Sequence, residues 1–297
     1  MSFQLIEART RNLGGFDVRR VLPFMHRRMV GPFIFFDHMG PVRFPAGVSR
    51  DVDVRPHPHI GLSTLTYLFE GEIMHRDSVG SEQAISPGEV NWMTAGRGIT
   101  HSERFERARR EGGSVHGIQS WVALPESSEE TEPSFSHHGS EDLPAFEEAG
   151  LSGKVLAGAA FGLRANVPVY SPLFYVHCFM PAGATLELPR DYPERAAYVA
   201  TGAARSAAVD LKAGQMLAFA AGTAATLTAT TDATVMLLGG EPVGERFIEW
   251  NFVSSAKERI AQAKSDWRGG RMKLPDLDHG EFIPLPEDPP APPHPMS

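Results

Sequence analysis

The fold prediction rests on two nearby segments. The first is Leu65-Thr66-Tyr67-Leu68-Phe69-Glu70-Gly71-Glu72-Ile73-Met74-His75-Arg76-Asp77, and the second is Ser86-Pro87-Gly88-Glu89-Val90-Asn91-Trp92-Met93. Their apolar segments are rich in β-branched and aromatic residues, which favour strands. The glycines between these segments predict tight turns. Short strands joined in this way are typical of a small β-barrel or β-sandwich. We therefore expect an all-β chain.

Pairs of metal-ligating residues flank this meander on both sides. Upstream lie His57 and His59, and downstream lie His101 and Glu103. Side chains two residues apart on a strand share one face, so each pair points to one side of its strand. An isolated His-x-His is a weak indication of a metal site, and the second pair strengthens it. Three imidazoles and one carboxylate suit a divalent transition metal and leave coordination positions open for a ligand.

Composition and charge exclude several classes of function. The 297 residues suffice for two domains, and the net charge of −8 argues against direct nucleic-acid binding, which requires a basic surface. The two segments richest in arginine, residues 19–28 and 104–110, are interpreted as solvated edges. The single cysteine, Cys178, excludes an intramolecular disulfide. Because no apolar run approaches membrane-spanning length, we expect a cytoplasmic protein without membrane contact.

The second half of the chain repeats the first weakly. The segment Tyr67–Gly71 corresponds to Tyr198–Gly202, and Gly88–Gly96 corresponds to Gly214–Gly222. Carrying these two offsets across replaces the four candidate ligands by Leu188, Arg190, Leu227 and Ala229. We therefore predict a metal-binding domain over residues 1–135 and a metal-free copy of it over 136–297. The linker or flap between them, residues 126–139, is rich in Ser, Glu, Pro and His.

The chain is predicted to become helical after the second domain. Ser255-Ala256-Lys257-Glu258 has the pattern of a capping box, and Gly269-Gly270 would end the helix. One face carries the residues Ala256, Ile260, Ala263 and Trp267. We expect an amphipathic helix over about 254–268 that packs on a barrel, followed by an extended proline-rich tail over 284–293.

Several of these segments together resemble the signatures of the pirin family. They are Gly31–Asp37, Pro56–His59, Tyr67–Gly71, Pro87–Glu103, Gln119–Trp121 and the segment from Asn251 onward. The resemblance implies a bicupin, in which two jelly-roll-like cupin β-barrels lie face to face with iron in the N-terminal one. Many cupins place a glutamate soon after His-x-His, where this chain has Ser63 and Thr64. Pirins take the carboxylate from the second motif, which Glu103 matches.

The resemblance implies two different functions. The first is quercetin (flavonol) 2,3-dioxygenation, with flavonol and O2 as substrates. Fe(II) would be held by His57, His59, His101 and Glu103, with nickel, manganese, cobalt, copper and zinc as alternative metals. Glu103 or a nearby base would take the substrate's hydroxyl proton, and Phe35, Phe36, Trp92 and Met93 are candidate pocket walls. The second function is a redox-sensing regulator whose iron state controls binding to a transcription factor or a metabolic enzyme.

A third hypothesis is a metal-binding scaffold that acts on another small molecule, because one fold hosts many reactions. Under each of these readings, His75 and Asp77 are candidates for groups that orient the ligand imidazoles. Asp37 and His38 are candidates for the mouth of the site, and His116 is a further candidate for a role beyond structure.

Overall fold

Two antiparallel β-barrels account for most of the chain in the structure, a computed structural model that describes residues 3–12, 15–148 and 150–287. The prediction of an all-β, two-barrel protein is confirmed. The first part of the chain contains β1 Phe3–Glu7, β2 Arg9–Asn12, β3 Asp17–Leu22, β4 Phe33–Phe44, β5 Val54–His59, β6 Leu62–Glu70, β7 Ile73–Asp77, β8 Glu82–Ile85, β9 Val90–Thr94, β10 Ile99–Arg104, α1 Glu106–Glu111, β11 Gly113–Ala123 and β12 Ser134–His138.

The first barrel closes two sheets over one interior. The larger sheet has the order β12-β9-β6-β11-β4-β3-β2, and the smaller has the order β5-β10-β7-β8. The predicted strands are present, but they do not form a meander. β6 pairs with β9, whereas the β7–β8 hairpin between them belongs to the smaller sheet. The smaller sheet carries both candidate ligand pairs on neighbouring strands, so the topology brings them together.

The second barrel repeats this plan. Its elements are β13 Ala145–Glu148, β14 Leu151–Ala160, β15 Leu163–Arg164, β16 Leu173–Met180, β17 Thr185–Glu187, β18 Glu194–Thr201, β19 Ala203–Ser206, β20 Val209–Lys212, β21 Gln215–Phe219, β22 Thr226–Ala229 and β23 Ala233–Gly240. β18 pairs with β21 as β6 pairs with β9, which matches the predicted duplication. At the positions of the first barrel's ligands, Leu188 and Leu227 are core residues.

The two barrels meet through an apolar interface rather than a flexible linker. Phe33 and Phe36 of β4 contact Tyr175 and Tyr198 of the second barrel, with ring centroids 5.3 Å and 4.8 Å apart. Each ring is almost fully buried, and burial of such a side chain stabilises the fold by roughly 1.5–3 kcal/mol. In addition, β1 joins the second barrel's sheet through β21. A strand from the start of the chain thus adds a backbone connection to the apolar interface between the barrels.

Two local predictions were wrong. The segment 104–110 is not simply a solvated edge, because it contains a fully buried Arg104 and most of α1. The capping box at Ser255 does not form, because the Ser255 backbone N–H and hydroxyl both donate to Glu129 instead. The predicted linker or flap over residues 126–139 contains β12, which pairs with β9 of the first barrel.

The chain returns to the first barrel after the second is complete. β24 Phe247–Glu249 and β25 Phe252–Ser254 form a hairpin, and α2 runs from Lys257 to Arg268. α2 buries Ile260, Ala263 and Trp267 as predicted and ends at Gly269, while Ala256 is exposed. Neither helix of the described chain is long and apolar enough to cross a membrane.

Residues 271–287, named here the C-terminal strap, lie across β5 and β10. The Ile283 N–H donates to the Pro56 carbonyl over 2.8 Å. Asp278 accepts from Ser102 and Arg104 over 2.6 and 2.7 Å. The strap therefore holds the outer faces of the two strands whose inner faces carry the histidines. The predicted proline-rich tail lies outside the described residues from residue 288 onward.

Candidate metal centre

Three histidines converge at the floor of a cavity in the first barrel. His57 lies directly opposite His101 in the β5–β10 register, and His59 follows on the same face of β5. One ring nitrogen of each lies within 4.8 Å of one from each of the others. The three rings are buried, with centroids 4.4 to 5.0 Å apart. β5 is the edge strand of its sheet, which is where Pro56 and Pro58 are tolerated.

Hydrogen bonds fix which nitrogen of each ring is free. His57 Nδ1 lies 2.9 Å from the Arg55 carbonyl, and His59 Nδ1 lies 3.2 Å from the Asn251 carbonyl. A carbonyl only accepts, so both rings carry their proton on Nδ1 and leave Nε2 as a lone-pair donor. His101 Nε2 is buried without a hydrogen-bond partner among the described residues. Such an orphaned atom is costly unless something binds it.

The electrostatics of the site favour neutral imidazoles. Burial lowers the pKa of His57 to about 4, and it lowers the pKa of His59 and His101 well below the usual range. Neutral imidazole is the form that binds metals. Three neutral, preoriented nitrogens around one point fit a divalent transition metal. No ligand would have to lose a proton at neutral pH before binding it.

Glu103 lies in the same cavity, but it stands apart from the three imidazoles. It lines the cavity wall and lies outside the group of ligand atoms within 4.8 Å of one another. The β5–β10 register shifts between His101 and Glu103, so Glu103 pairs with Val54. This irregularity moves its carboxylate relative to the histidines, which strict alternation could not predict. Burial raises the pKa of Glu103 to about 7.

An aromatic and polar wall rises above the histidines and encloses a cavity of about 720 Å³. Phe35 and Trp121 stack with centroids 3.9 Å apart, and Trp121 meets the His59 ring edge-on at 5.0 Å. Arg20 forms two 2.7 Å hydrogen bonds with Asp37 and lies 4.3 Å above the Phe35 ring. The site thus combines a flat apolar surface with a fixed ion pair.

The structure assigns different places to several residues singled out in the sequence. Phe35 and Asp37 line the cavity as predicted. Phe36 and Trp92 pack in the core between the barrels, and Met93 packs beside Phe35 in the core behind the cavity. His38 faces the second barrel, where its Nδ1 lies 2.7 Å from the Tyr198 hydroxyl.

Trp121, Gln119 and Arg20 are among the cavity residues that were not predicted from the sequence. Trp121 and Gln119 lie opposite Phe35 and Asp37 in the β4–β11 register, and alternation along the closing strand could have found them. Arg20 was interpreted as part of a solvated edge, but it pairs with Asp37 inside the barrel. Arg20 reaches Asp37 because β3 pairs with β4, and a local sequence pattern does not reveal that pairing.

Two family models match the chain, that of pirin over residues 15–122 and that of the pirin C-terminal cupin domain over residues 175–273. The chain belongs to the pirin family. A pirin-like protein of Caulobacter vibrioides is 63% identical over 95% of this chain and 99% of its own length.

Two solved structures share this fold over nearly the whole chain. A quercetin 2,3-dioxygenase from Acinetobacter baumannii superposes with a TM-score of 0.89 at 33% identity, covering 98% of this chain and 97% of its own. A second protein of that name and organism superposes with a TM-score of 0.85 at 26% identity, covering 91% of this chain and 97% of its own.

Proposed function

We propose that this pirin is a mononuclear metal-dependent dioxygenase that cleaves flavonols such as quercetin, with Fe(II) as its metal. The observation that carries the proposal is the group of three neutral histidines whose free nitrogens converge below an aromatic-walled cavity. The similarity to two quercetin 2,3-dioxygenases adds support. The cavity volume lies within the range of roughly 300–1,000 Å³ that is usual for small-molecule sites.

In this proposal, different residues bind the metal and contact the substrate. His57, His59 and His101 would hold the metal, each offering a lone pair on Nε2. A divalent transition metal bound there supplies Lewis acidity and redox chemistry. Glu103 would serve either as a fourth ligand or, from its present position, as the acceptor of the substrate hydroxyl proton. The two roles need different distances to the imidazoles, and the observed position outside the ligand group suits proton transfer.

The cavity wall suits a planar, hydroxylated substrate. The stacked Phe35 and Trp121 rings offer a flat face beside His59, and aromatic faces attract other aromatic rings in offset or edge-on arrangements. The Gln119 side-chain carbonyl accepts a 2.7 Å hydrogen bond from Thr66, so that amide is held with its NH2 group available. A flavonol presents both the aromatic surface and the oxygens that these groups recognise.

The proposal is tested by reconstituting the metal-free protein with Fe(II) under anaerobic conditions and then measuring oxygen uptake with quercetin. We expect metal-dependent uptake that His101→Ala and Glu103→Gln each reduce at least about 100-fold. His26→Gln, which changes an exposed histidine outside the cavity, serves as the matched control. Stoichiometric iron binding without oxygen uptake would refute the dioxygenase and favour the redox-sensing regulator.

A further inference from the structure

A buried histidine–aspartate pair stands directly behind one of the three proposed ligands. His75 and Asp77 lie on β7, next to β10 in the smaller sheet, and both are buried. In the β7–β10 register Asp77 faces His101 and His75 faces Glu103, so the pair shares the interior face with the proposed ligands. His75 Nε2 lies 2.9 Å from Asp77 Oδ2, and His75 Nδ1 lies 3.4 Å from His101 Nδ1.

The direction of each hydrogen bond follows from the carboxylate. Burial raises the pKa of Asp77, but hydrogen bonds from His75 and from the Ser81 backbone N–H outweigh that effect and hold the pKa below its usual value. The ionised Asp77 only accepts, so His75 carries its proton on Nε2 and exposes a lone pair on Nδ1. His101 must then donate from Nδ1, which leaves its buried, unpartnered Nε2 as a metal donor.

We propose that His75 and Asp77 form a positioning relay that fixes His101 in its metal-binding tautomer and strengthens Nε2 as a donor. The inference rests on the metal site proposed above, but it is independent of the substrate. His57 and His59 each donate to a neutral backbone carbonyl, whereas His101 donates to an imidazole backed by a full negative charge. The relay therefore makes one of the three ligands more basic than the others.

The surroundings hold the relay in place. Phe135 of β12 stacks on the His75 ring with centroids 4.4 Å apart and an interplanar angle of 17°. The Val79 and Ser81 backbone N–H groups both donate to Asp77 Oδ1, at 3.0 and 2.9 Å. One oxygen of Asp77 thus anchors a turn while the other orients His75. Neither residue lines the cavity, so both act through His101.

Asp77→Asn tests the relay because it reverses every proton in it. The two backbone N–H groups require an acceptor, so the asparagine carbonyl replaces Oδ1 and its NH2 group points at His75 Nε2. His75 must then carry its proton on Nδ1, and His101 must accept there. The His101 proton moves to Nε2, where it blocks the metal. Nitrogen-15 NMR of the metal-free protein reads this tautomer directly, with the His101 signals identified by their absence in His101→Ala.

We expect Asp77→Asn to switch the His101 tautomer in the metal-free protein and to weaken Co(II) binding about 10–100-fold in competition with a chelator. His75→Phe retains the stacking on Phe135 and should lose affinity to a similar degree without the tautomer switch. His138→Gln changes a half-buried histidine outside the cavity that also has a side-chain partner; it is the control and should bind as the wild type does.

Two results would overturn the relay. One is a His101 that keeps its proton on Nδ1 in Asp77→Asn, and the other is Co(II) affinity within about twofold of the wild type in both relay variants. If the wild type binds metal and the variants behave as expected while quercetin is not consumed, the relay stands and only the dioxygenase proposal fails.

Discussion

Replacing Glu103 with glutamine should remove a pH-dependent loss of stability from the metal-free protein. Burial raises the pKa of Glu103 from its ordinary value of 4.5 to about 7. As pH rises, the unfolded chain releases this proton first, so the folded state loses stability relative to it between pH 4.5 and 7. At about 1.4 kcal/mol for each unit between the two pKa values, the loss reaches about 3 kcal/mol at neutral pH.

The difference between the two proteins isolates this effect from every other titrating group. We would measure urea unfolding of metal-free wild type and Glu103→Gln from about pH 4 to about pH 8, using tryptophan fluorescence. The free energy of unfolding of the variant should gain about 3 kcal/mol on the wild type across that range. Glu148→Gln, at an exposed position of β13, is the control. A difference that stays constant with pH would show that water reaches the carboxylate and would refute the reasoning.

Three further outcomes are expected. Because burial lowers the pKa of His57 to about 4 and those of His59 and His101 further below their usual range, protons should compete with metal only in acid; calorimetric affinity should stay level down to about pH 5.5, and a decline beginning near pH 6.5 would contradict the burial argument. A Cβ at Gly61 would lie 2.0 Å from the Val253 carbonyl oxygen, whereas one at Gly80 meets nothing within 4 Å, and both glycines have positive φ; Gly61→Ala should therefore cost at least about 2 kcal/mol more in thermal unfolding than Gly80→Ala, and equal costs would contradict the clash. Asp278→Asn removes the negative charge that pairs with the buried Arg104, so the free energy of unfolding measured in urea should fall by about 2 kcal/mol. Asp276→Asn, whose partner Lys273 is exposed, should leave it unchanged.

The elements predicted correctly from the sequence are those whose pattern lies within a few neighbouring residues. Alternation and glycine placement located β6, β7 and β9, and the His-x-His spacing placed His57 and His59 on one face of β5. The repeat of Tyr67–Gly71 at Tyr198–Gly202 also located the equivalent strands of the second barrel. In each case the pattern arises from neighbours within a few residues of one another.

Features set by distant partners could not be predicted in this way. Alternation says which residues share a face, but it does not reveal the register shift that separates Glu103 from the histidines. The capping box at Ser255 does not form because the backbone N–H and hydroxyl of Ser255 donate to Glu129, which is 126 residues away. Arg20 looked like a surface charge because its partner Asp37 lies on the next strand. Propensity describes a segment alone, whereas these contacts depend on which segments meet.

The hydrogen bond between His59 and the Asn251 carbonyl joins residues that are 192 positions apart. On the ribosome, all three histidines therefore emerge long before the group that orients one of them, and the C-terminal strap that braces their strands follows later still. The first barrel's site is completed only by segments that are translated after the whole second barrel. A frameshift or proteolytic cut between residues 245 and 250 would therefore remove both the Asn251 carbonyl and the strap while leaving every proposed ligand in the chain.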